Sequence, residues 1–245
     1  MSRWFFYRNL RIFIIKISIL SLILNIETAT KNCSVSLSYE GEILAVKELN
    51  DGNYSHSENL HVFIEEVLSS KSKSYDEIDA IAVSKGPGSF TGLRIGVSAA
   101  KGLCYSLDKP LISISTLASL TNAVVVESNA IIIPLLDARR MEVYSAVFDN
   151  NYNQIREVKA EIIDNHSFNE FLEKGKVYFL GDGAQKCKEF IKHKNAIFVD
   201  DYFPSAKQMA KLSFDKYKKN DTEDVAYFEP FYLKDFMVTY KKKQN

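Results

Sequence analysis

A chain of 245 residues has room for one large domain or two small ones, and 46% hydrophobic with 25% charged residues is ordinary for a soluble globular protein. Lys plus Arg and Asp plus Glu number 31 each, so the chain as a whole has no electrostatic preference for nucleic acid, and any RNA contact must come from a local patch or a partner. The three cysteines, Cys33, Cys104 and Cys187, are odd in number and never at Cys-x-x-Cys spacing, which argues against a disulfide framework or zinc ribbon and fits a reducing, cytoplasmic setting.

Arg3, Arg8 and Arg11 precede an apolar run from Ile12 to Leu24, broken by Lys16. The run is shorter than the roughly 20 residues a membrane-spanning helix needs. As an export signal it lacks a small-x-small cleavage site, and cutting near Ala29 would sever the first core strand. The preferred reading treats residues 1–20 as a leader outside the core, made of translated upstream sequence. From Leu22, an apolar strand is followed by Cys33, Val35 and Leu37 in alternation, a Gly41 turn and Ile43 to Val46, which predicts a strand meander. Ser55 with Glu58 reads as a capping box opening a helix whose stripe is Leu60, Phe63, Ile64, Val67 and Leu68. A strand over Ile78 to Val83 then enters a glycine-dense loop, a helix from about Leu93 to Leu107, a strand over Leu111 to Ser115 and a short helix over Thr116 to Asn122.

The second half repeats the pattern. Ala130 to Leu136 and Val143 to Phe148 flank Asp137-Ala138-Arg139-Arg140 as a hairpin, and Glu161 to Ile163 reads as a further strand. Val177 to Leu180 leads through Gly181-Asp182-Gly183 into a helix at Ala184, Ile197 to Val199 is a strand, and Ser205 caps the last clear helix. Both halves thus open with a hairpin and later send a strand through a glycine-containing turn into a helix, which suggests a duplicated α/β domain. The division expected is a leader 1–20, a first domain 21–123, a second domain 124–232 and a basic tail 233–245.

The loop Ser84-Lys85-Gly86-Pro87-Gly88-Ser89-Phe90-Thr91-Gly92-Leu93-Arg94 is the most specific feature. Strand, glycine turn and helix N-terminus together offer free amides to an anion. The alternative is a tight turn in which Gly88 and Gly92 take unusual dihedrals and Ser89 or Thr91 caps the helix. Neither a P-loop nor Gly-x-Gly-x-x-Gly is present. Projected on the following helix, Gly92, Gly96, Ala99, Ala100 and Ser106 share a broad side with Leu103, while Leu93, Val97 and Cys104 point elsewhere, toward a sheet. A smooth face of this kind lets another helix approach, either the neighbouring helix of residues 56–70 or a partner's pair in a four-helix arrangement.

The stretch SKGPGSFTGLRIGVSAAKGL resembles the signature of the TsaB family, and Leu22 to Leu37, His56-Ser57-Glu58-Asn59-Leu60, Asp137-Ala138-Arg139 with Glu142-Val143-Tyr144, and Glu229-Pro230-Phe231-Tyr232-Leu233 match in order. The resemblance covers about Leu22 to Asp235. It implies two domains of the actin, Hsp70 and sugar-kinase type, each a mixed sheet with packed helices. It also implies a scaffold subunit, with no cofactor of its own, for forming the threonylcarbamoyl group on N6 of adenosine 37 in tRNAs that read codons beginning with A. The implied partners are the catalytic paralogue TsaD and the ATPase TsaE, with a homodimer when TsaD is absent, and tRNA is met only through the complex. On this reading the subunit interface is formed by Leu60, Ile64, Gly92, Gly96, Ala99, Ala100 and Leu103. The signature loop contributes Gly86, Pro87, Gly88, Ser89, Thr91 and Arg94. Apart from the resemblance, Asp137 and Arg139 are candidates for an interdomain or subunit contact, or equally for a turn ion pair worth little.

Two rival readings follow from the same residues. A small kinase or ATPase of this fold would hold phosphate and metal at the first hairpin, but Asn25-Ile26-Glu27-Thr28-Ala29-Thr30 puts Glu27 at the expected Asp and has no glycine, which suggests a degenerate cleft. A peptidase would need ligands held together, and His56, His61, His166 and His193 include no pair one helical turn apart. His56, in the first turn of its helix, is expected to be packed or capping. The run Lys241-Lys242-Lys243, with Lys234 and Tyr240, could touch phosphates, or be a solvated terminus.

Overall fold

The computed structural model describes residues 20–52 and 55–234. The leader before residue 20 and the lysine run of the tail lie outside the described residues.

Two five-stranded sheets organise the chain. In the first, β1 (Leu22–Glu27), β2 (Cys33–Tyr39) and β3 (Glu42–Leu49) form an antiparallel meander, and β4 (Ala80–Gly86) and β5 (Leu111–Ser115) add in parallel, in the order β3-β2-β1-β4-β5. The second repeats this order with β6 (Ile131–Asp137), β7 (Glu142–Phe148), β8 (Gln154–Ile162), β9 (Val177–Leu180) and β10 (Ala196–Val199). This is the α/β architecture expected, two mixed sheets with packed helices. The two strand orders superimpose element for element, so the halves are duplicates in topology.

The central strand β1 is buried along its whole length because helices cover both faces of its sheet. On one face, Leu24 and Ile26 meet Leu60, Ile64 and Val67 of α1 (His56–Ser69) and Val97, Ala100 and Cys104 of α2 (Phe90–Leu107). On the other, Ile23, Ala80, Ala82, Ile112 and Ile114 meet Ala206 and Met209 of a 3-10 turn and Leu212 and Phe214 of α6 (Ala210–Lys218). That face is partly polar. Ser213 donates to Asn25 Oδ1 at 2.7 Å, Ser36 donates to the Ala206 carbonyl at 2.9 Å, and Ser34 accepts from the Ala206 amide at 3.0 Å.

All five strands of the first sheet precede residue 116 and all five of the second follow residue 130, but the helices do not divide in this way. Leu117 and Leu120 of α3 (Thr116–Thr121), expected in the first domain, pack on Ile132, Leu136 and Leu180 of the second sheet. Residues 206–218, expected in the second domain, close the first sheet. The last helix of each half crosses to the other half, because each sheet has one apolar face that its own chain segment leaves uncovered. The remaining short helices, α4 (Asn169–Leu172) and α5 (Ala184–Cys187), sit on the second sheet, with Leu172 and Cys187 in its core.

Several local expectations change. The strand seen in sequence only as Glu161 to Ile163 is the nine-residue edge strand β8. Ser55 precedes α1, but its side chain makes no cap hydrogen bond, so the predicted capping box is not formed. Ser89 does cap α2, accepting from Gly92 N–H at 3.2 Å, and the helix starts at Phe90, earlier than Leu93.

Candidate functional site

The helices α1 and α2 lie side by side on the first sheet, and between their outer surfaces runs an open groove of about 760 Å3. Its floor is apolar, from Leu60, Ile95, Ala99 and Leu103, and its N-terminal end is polar, from His56, Ser57, His61, Thr91 and Arg94. Gly102 lines it with open space where a Cβ would stand.

The residues expected to make a subunit interface separate into two groups here. Leu60, Ile64, Gly92, Gly96 and Ala100 are buried, whereas Ala99 and Leu103 are partly exposed.

 Both of the latter face the groove. Gly92 and Gly96 face the turn after β1 instead: a Cβ on Gly92 would come within 2.2 Å of the Thr28 carbonyl oxygen, and one on Gly96 within 2.2 Å of Thr28 Oγ1. Sequence spacing identified a small-residue side of α2 but could not show that its first two glycines are filled from within. Ile95, Ser98, Gly102 and His61 were missed as groove residues. The exposed Ser98 one turn before Gly102 on α2 was the available signal.

The signature loop works as a tight turn. Ser89 N–H donates to the Ala29 carbonyl at 2.6 Å and Gly92 N–H to Ser89 Oγ, so two of the amides offered to an anion are engaged within the chain. The unusual dihedral falls at Gly86, with φ of 109°, where a side chain would also strike the Phe231 carbonyl. Gly88 and Gly92 have ordinary dihedrals and are required by close approach: a Cβ on Gly88 would lie 2.4 Å from the Ala29 carbonyl oxygen. Pro87 follows a cis peptide and is buried. Thr91 and Arg94 are exposed. The Arg94 guanidinium lies 5.2 Å from the centre of the Phe90 ring, and that ring packs 4.8 Å from Tyr232. The C-terminal stretch is thereby strapped over α2, since Phe231 N–H donates to the Lys85 carbonyl and Lys101 Nζ to the carbonyls of Ala226 and Phe228.

The cleft side of the same elements carries two acids. Glu27 is fully buried at the end of β1, and its Oε1 accepts from Ala29 N–H at 2.6 Å and from Ser84 Oγ at 2.8 Å. Burial pushes its carboxyl up to about 7, against the pull of those hydrogen bonds, and the charge of Asp182 across the cleft adds to the rise. Burial likewise pushes Asp182 up to about 6, and its Oδ1 accepts from Asp137 N–H. Both acids therefore organise turns.

Asp137 is exposed and pairs with Lys186, while its Oδ1 also accepts from Arg139 N–H at 2.9 Å. These partners all belong to the second half, so the contacts of Asp137 do not join the two sheets, and with Arg139 it forms a turn instead of an ion pair. The thiols of Cys33, Cys104 and Cys187 are pushed up to about 11, 12 and 12 by burial, which keeps them protonated and poorly nucleophilic at neutral pH. His56 is packed, as expected, with Nε2 2.7 Å from the Thr30 carbonyl oxygen. Among the described residues, no three His, Cys, Asp or Glu side chains converge as a metal-ligand set, and no helix is long and apolar enough to cross a membrane.

The chain matches, over residues 51–242, the family model described as TsaD, tRNA N6-adenosine threonylcarbamoyltransferase. It is 32% identical over 231 residues to the tRNA threonylcarbamoyladenosine biosynthesis protein TsaB of Haemophilus influenzae, covering 90% of this chain and 96% of that protein. With the protein of the same description from Escherichia coli K12, identity is 31% over 230 residues, covering 90% and 97%. A solved structure from Pseudomonas aeruginosa, described as an uncharacterized protein with similarity to peptidase YeaZ, superposes with a TM-score of 0.76 at 23% identity, covering 87% of this chain and 100% of that one, a likeness of fold.

Proposed function

The chain belongs to the TsaB family of tRNA threonylcarbamoyladenosine biosynthesis proteins, and from that premise we propose that it is a non-catalytic docking subunit whose working surface is the groove between α1 and α2. The proposed partner is the catalytic paralogue TsaD, with the ATPase TsaE as a further component and a homodimer as the resting form without TsaD. The assembled complex would place a threonylcarbamoyl group on N6 of adenosine 37 in tRNAs that read codons beginning with A. In this reading tRNA is bound through the complex.

The observation that carries the proposal is the groove itself, an apolar floor bordered by Ala99, Gly102 and Leu103 on one helix and Leu60 on the other, in a chain that also matches the TsaD family model. Related chains sharing such a helix pair can pack pair against pair, burying both grooves in one four-helix contact. Reactive groups elsewhere are engaged or quenched: Glu27 and Asp182 hold turns, and the thiols are buried. These features support a binding role over chemistry by the isolated chain.

Ala99→Arg and Gly102→Arg put a long cation into the groove without entering the core, so each should abolish co-purification with TsaD and leave thermal unfolding of the lone chain nearly unchanged. Gly96→Arg is unsuitable for this test, because position 96 has no room for any side chain. Full retention of TsaD by both groove variants would refute the docking assignment.

A further inference from the structure

Phe90 is the first residue of α2, and it is only half-buried. Side chains on a helix lean toward its N-terminus and rest on the turn before them. Phe90 has no such turn beneath it, so a neighbour for its ring has to come from elsewhere in the chain. The C-terminal strap supplies one: the Tyr232 ring packs 4.8 Å from that of Phe90, tilted by 35°. One turn later Arg94 leans back over the same ring, its guanidinium 5.2 Å from the centre. Phe90 and Arg94 both line the groove, so the stack of Tyr232, Phe90 and Arg94 makes an end wall for it.

The strap is fixed along its length. Glu223 N–H donates to the Leu111 carbonyl at 2.8 Å, and Lys101 Nζ donates to the carbonyls of Ala226 and Phe228 at 3.1 and 3.0 Å. Phe231 N–H donates to the Lys85 carbonyl at 2.7 Å, and its own carbonyl oxygen presses on Gly86, where a Cβ would lie 2.8 Å away. With Phe231 held at both amide and carbonyl, Tyr232 is delivered to one place. Val225 and Phe228 serve the core of the first sheet, whereas Phe231 and Tyr232 stay 42% and 37% exposed. We propose that Tyr232 is a positioning residue of the docking surface: it sets the Phe90 ring, and through it Arg94, where a partner helix meets the end of the groove. The proposal rests on the reading of that groove as the docking surface for TsaD. It brings the C-terminal strap into partner recognition.

The test uses the full-length chain, at a temperature where circular dichroism shows every variant folded. TsaD affinity is measured for Tyr232→Phe, Tyr232→Ala, Phe90→Ala and the double variant Tyr232→Ala with Phe90→Ala. Tyr232→Phe keeps the ring and should bind as wild type does. Tyr232→Ala should weaken binding about fivefold to tenfold, the worth of one aromatic contact. Phe90→Ala removes the ring that Tyr232 sets and should weaken binding at least as much. Adding Tyr232→Ala to it should then cost nothing more, because residues that act through one another are not additive. A role in stability alone would lower the melting temperature of Tyr232→Ala and leave its TsaD affinity at the wild-type value. Unchanged affinity in Tyr232→Ala overturns the proposal, and so do additive losses, which would mean that Tyr232 meets the partner by itself. The groove variants separate this from the docking reading. If Ala99→Arg loses TsaD while Tyr232→Ala keeps it, the groove stands and the positioning role falls. If wild type fails to bind TsaD, or Ala99→Arg and Gly102→Arg both keep it, the docking reading falls and takes the positioning role with it.

Discussion

Gly96 and Gly102 lie on the same face-forming helix, and the same substitution should act on them with opposite signs. At 96 an added methyl meets Thr28 Oγ1 at 2.2 Å, backed by a buried turn that cannot withdraw, so Gly96→Ala should cost about 1–3 kcal/mol by overpacking. At 102 nothing lies within 4 Å, and Gly102→Ala should stabilise by about 0.5–1 kcal/mol through helix propensity alone. Denaturant unfolding of the two variants checks both. Glu27 gives a pH signature of its own. The folded chain keeps a proton on a carboxyl raised to about 7, while the unfolded chain releases it near the ordinary 4.5. Stability should therefore fall as pH rises between those values, by up to roughly 3 kcal/mol from this group. Asp182, raised to about 6, acts in the same direction. Glu27→Gln should flatten the Glu27 part of the slope, and a melting curve across pH 4 to 8 that is identical in wild type and variant would contradict that account of the cleft.

Helix starts show why some elements were legible in the sequence and others were not. Ser-x-x-Glu before an apolar run is a good local pattern, yet at α1 the Ser55 side chain makes no cap bond, whereas Ser89, preceded by a glycine loop, caps α2. Ser89→Ala should accordingly lower stability by about 1 kcal/mol and Ser55→Ala by much less, as read from paired unfolding curves. The meander β1–β2–β3 and the hairpin β6–β7 were readable because short turns separate strongly apolar runs, and because Cys33, Val35 and Leu37 of β2 alternate with serines. The edge strand β8 was mostly hidden, since Gln154 to Ile162 alternates charged with partly exposed residues and resembles a loop. The groove was half legible. Periodicity revealed a side of small residues on α2, and Ala99 and Leu103 do border the groove. That Gly92 and Gly96 are consumed by Thr28 depends on a contact with a residue 64 positions earlier, which helical projection cannot contain.

Over the whole molecule, duplication of the strand order was visible as two repeats of hairpin, strand, glycine turn and helix. The exchange of helices between the halves was not, because Leu117, Leu120, Ala206 and Met209 are apolar on any reading and their partners are set by the path of the chain. The boundary expected near residues 122–129 would yield a first half, residues 20–123, with Ile23, Ala82, Ile112 and Ile114 open on one face of its sheet. Expressed alone, that half should aggregate. Supplying residues 200–234 on a second polypeptide should restore a soluble complex, checked by size-exclusion chromatography. A first half that is soluble and cooperatively folded by itself would show that the crossing helix is dispensable.

The reciprocal crossing also bears on how the protein is made. Ribosomes deliver the chain from its N-terminus, so the opening sheet emerges with one oily side bare, and its cover arrives only after the entire second lobe has been translated. The nascent lobe must be sheltered for that interval, until residues 206–218 have left the exit tunnel.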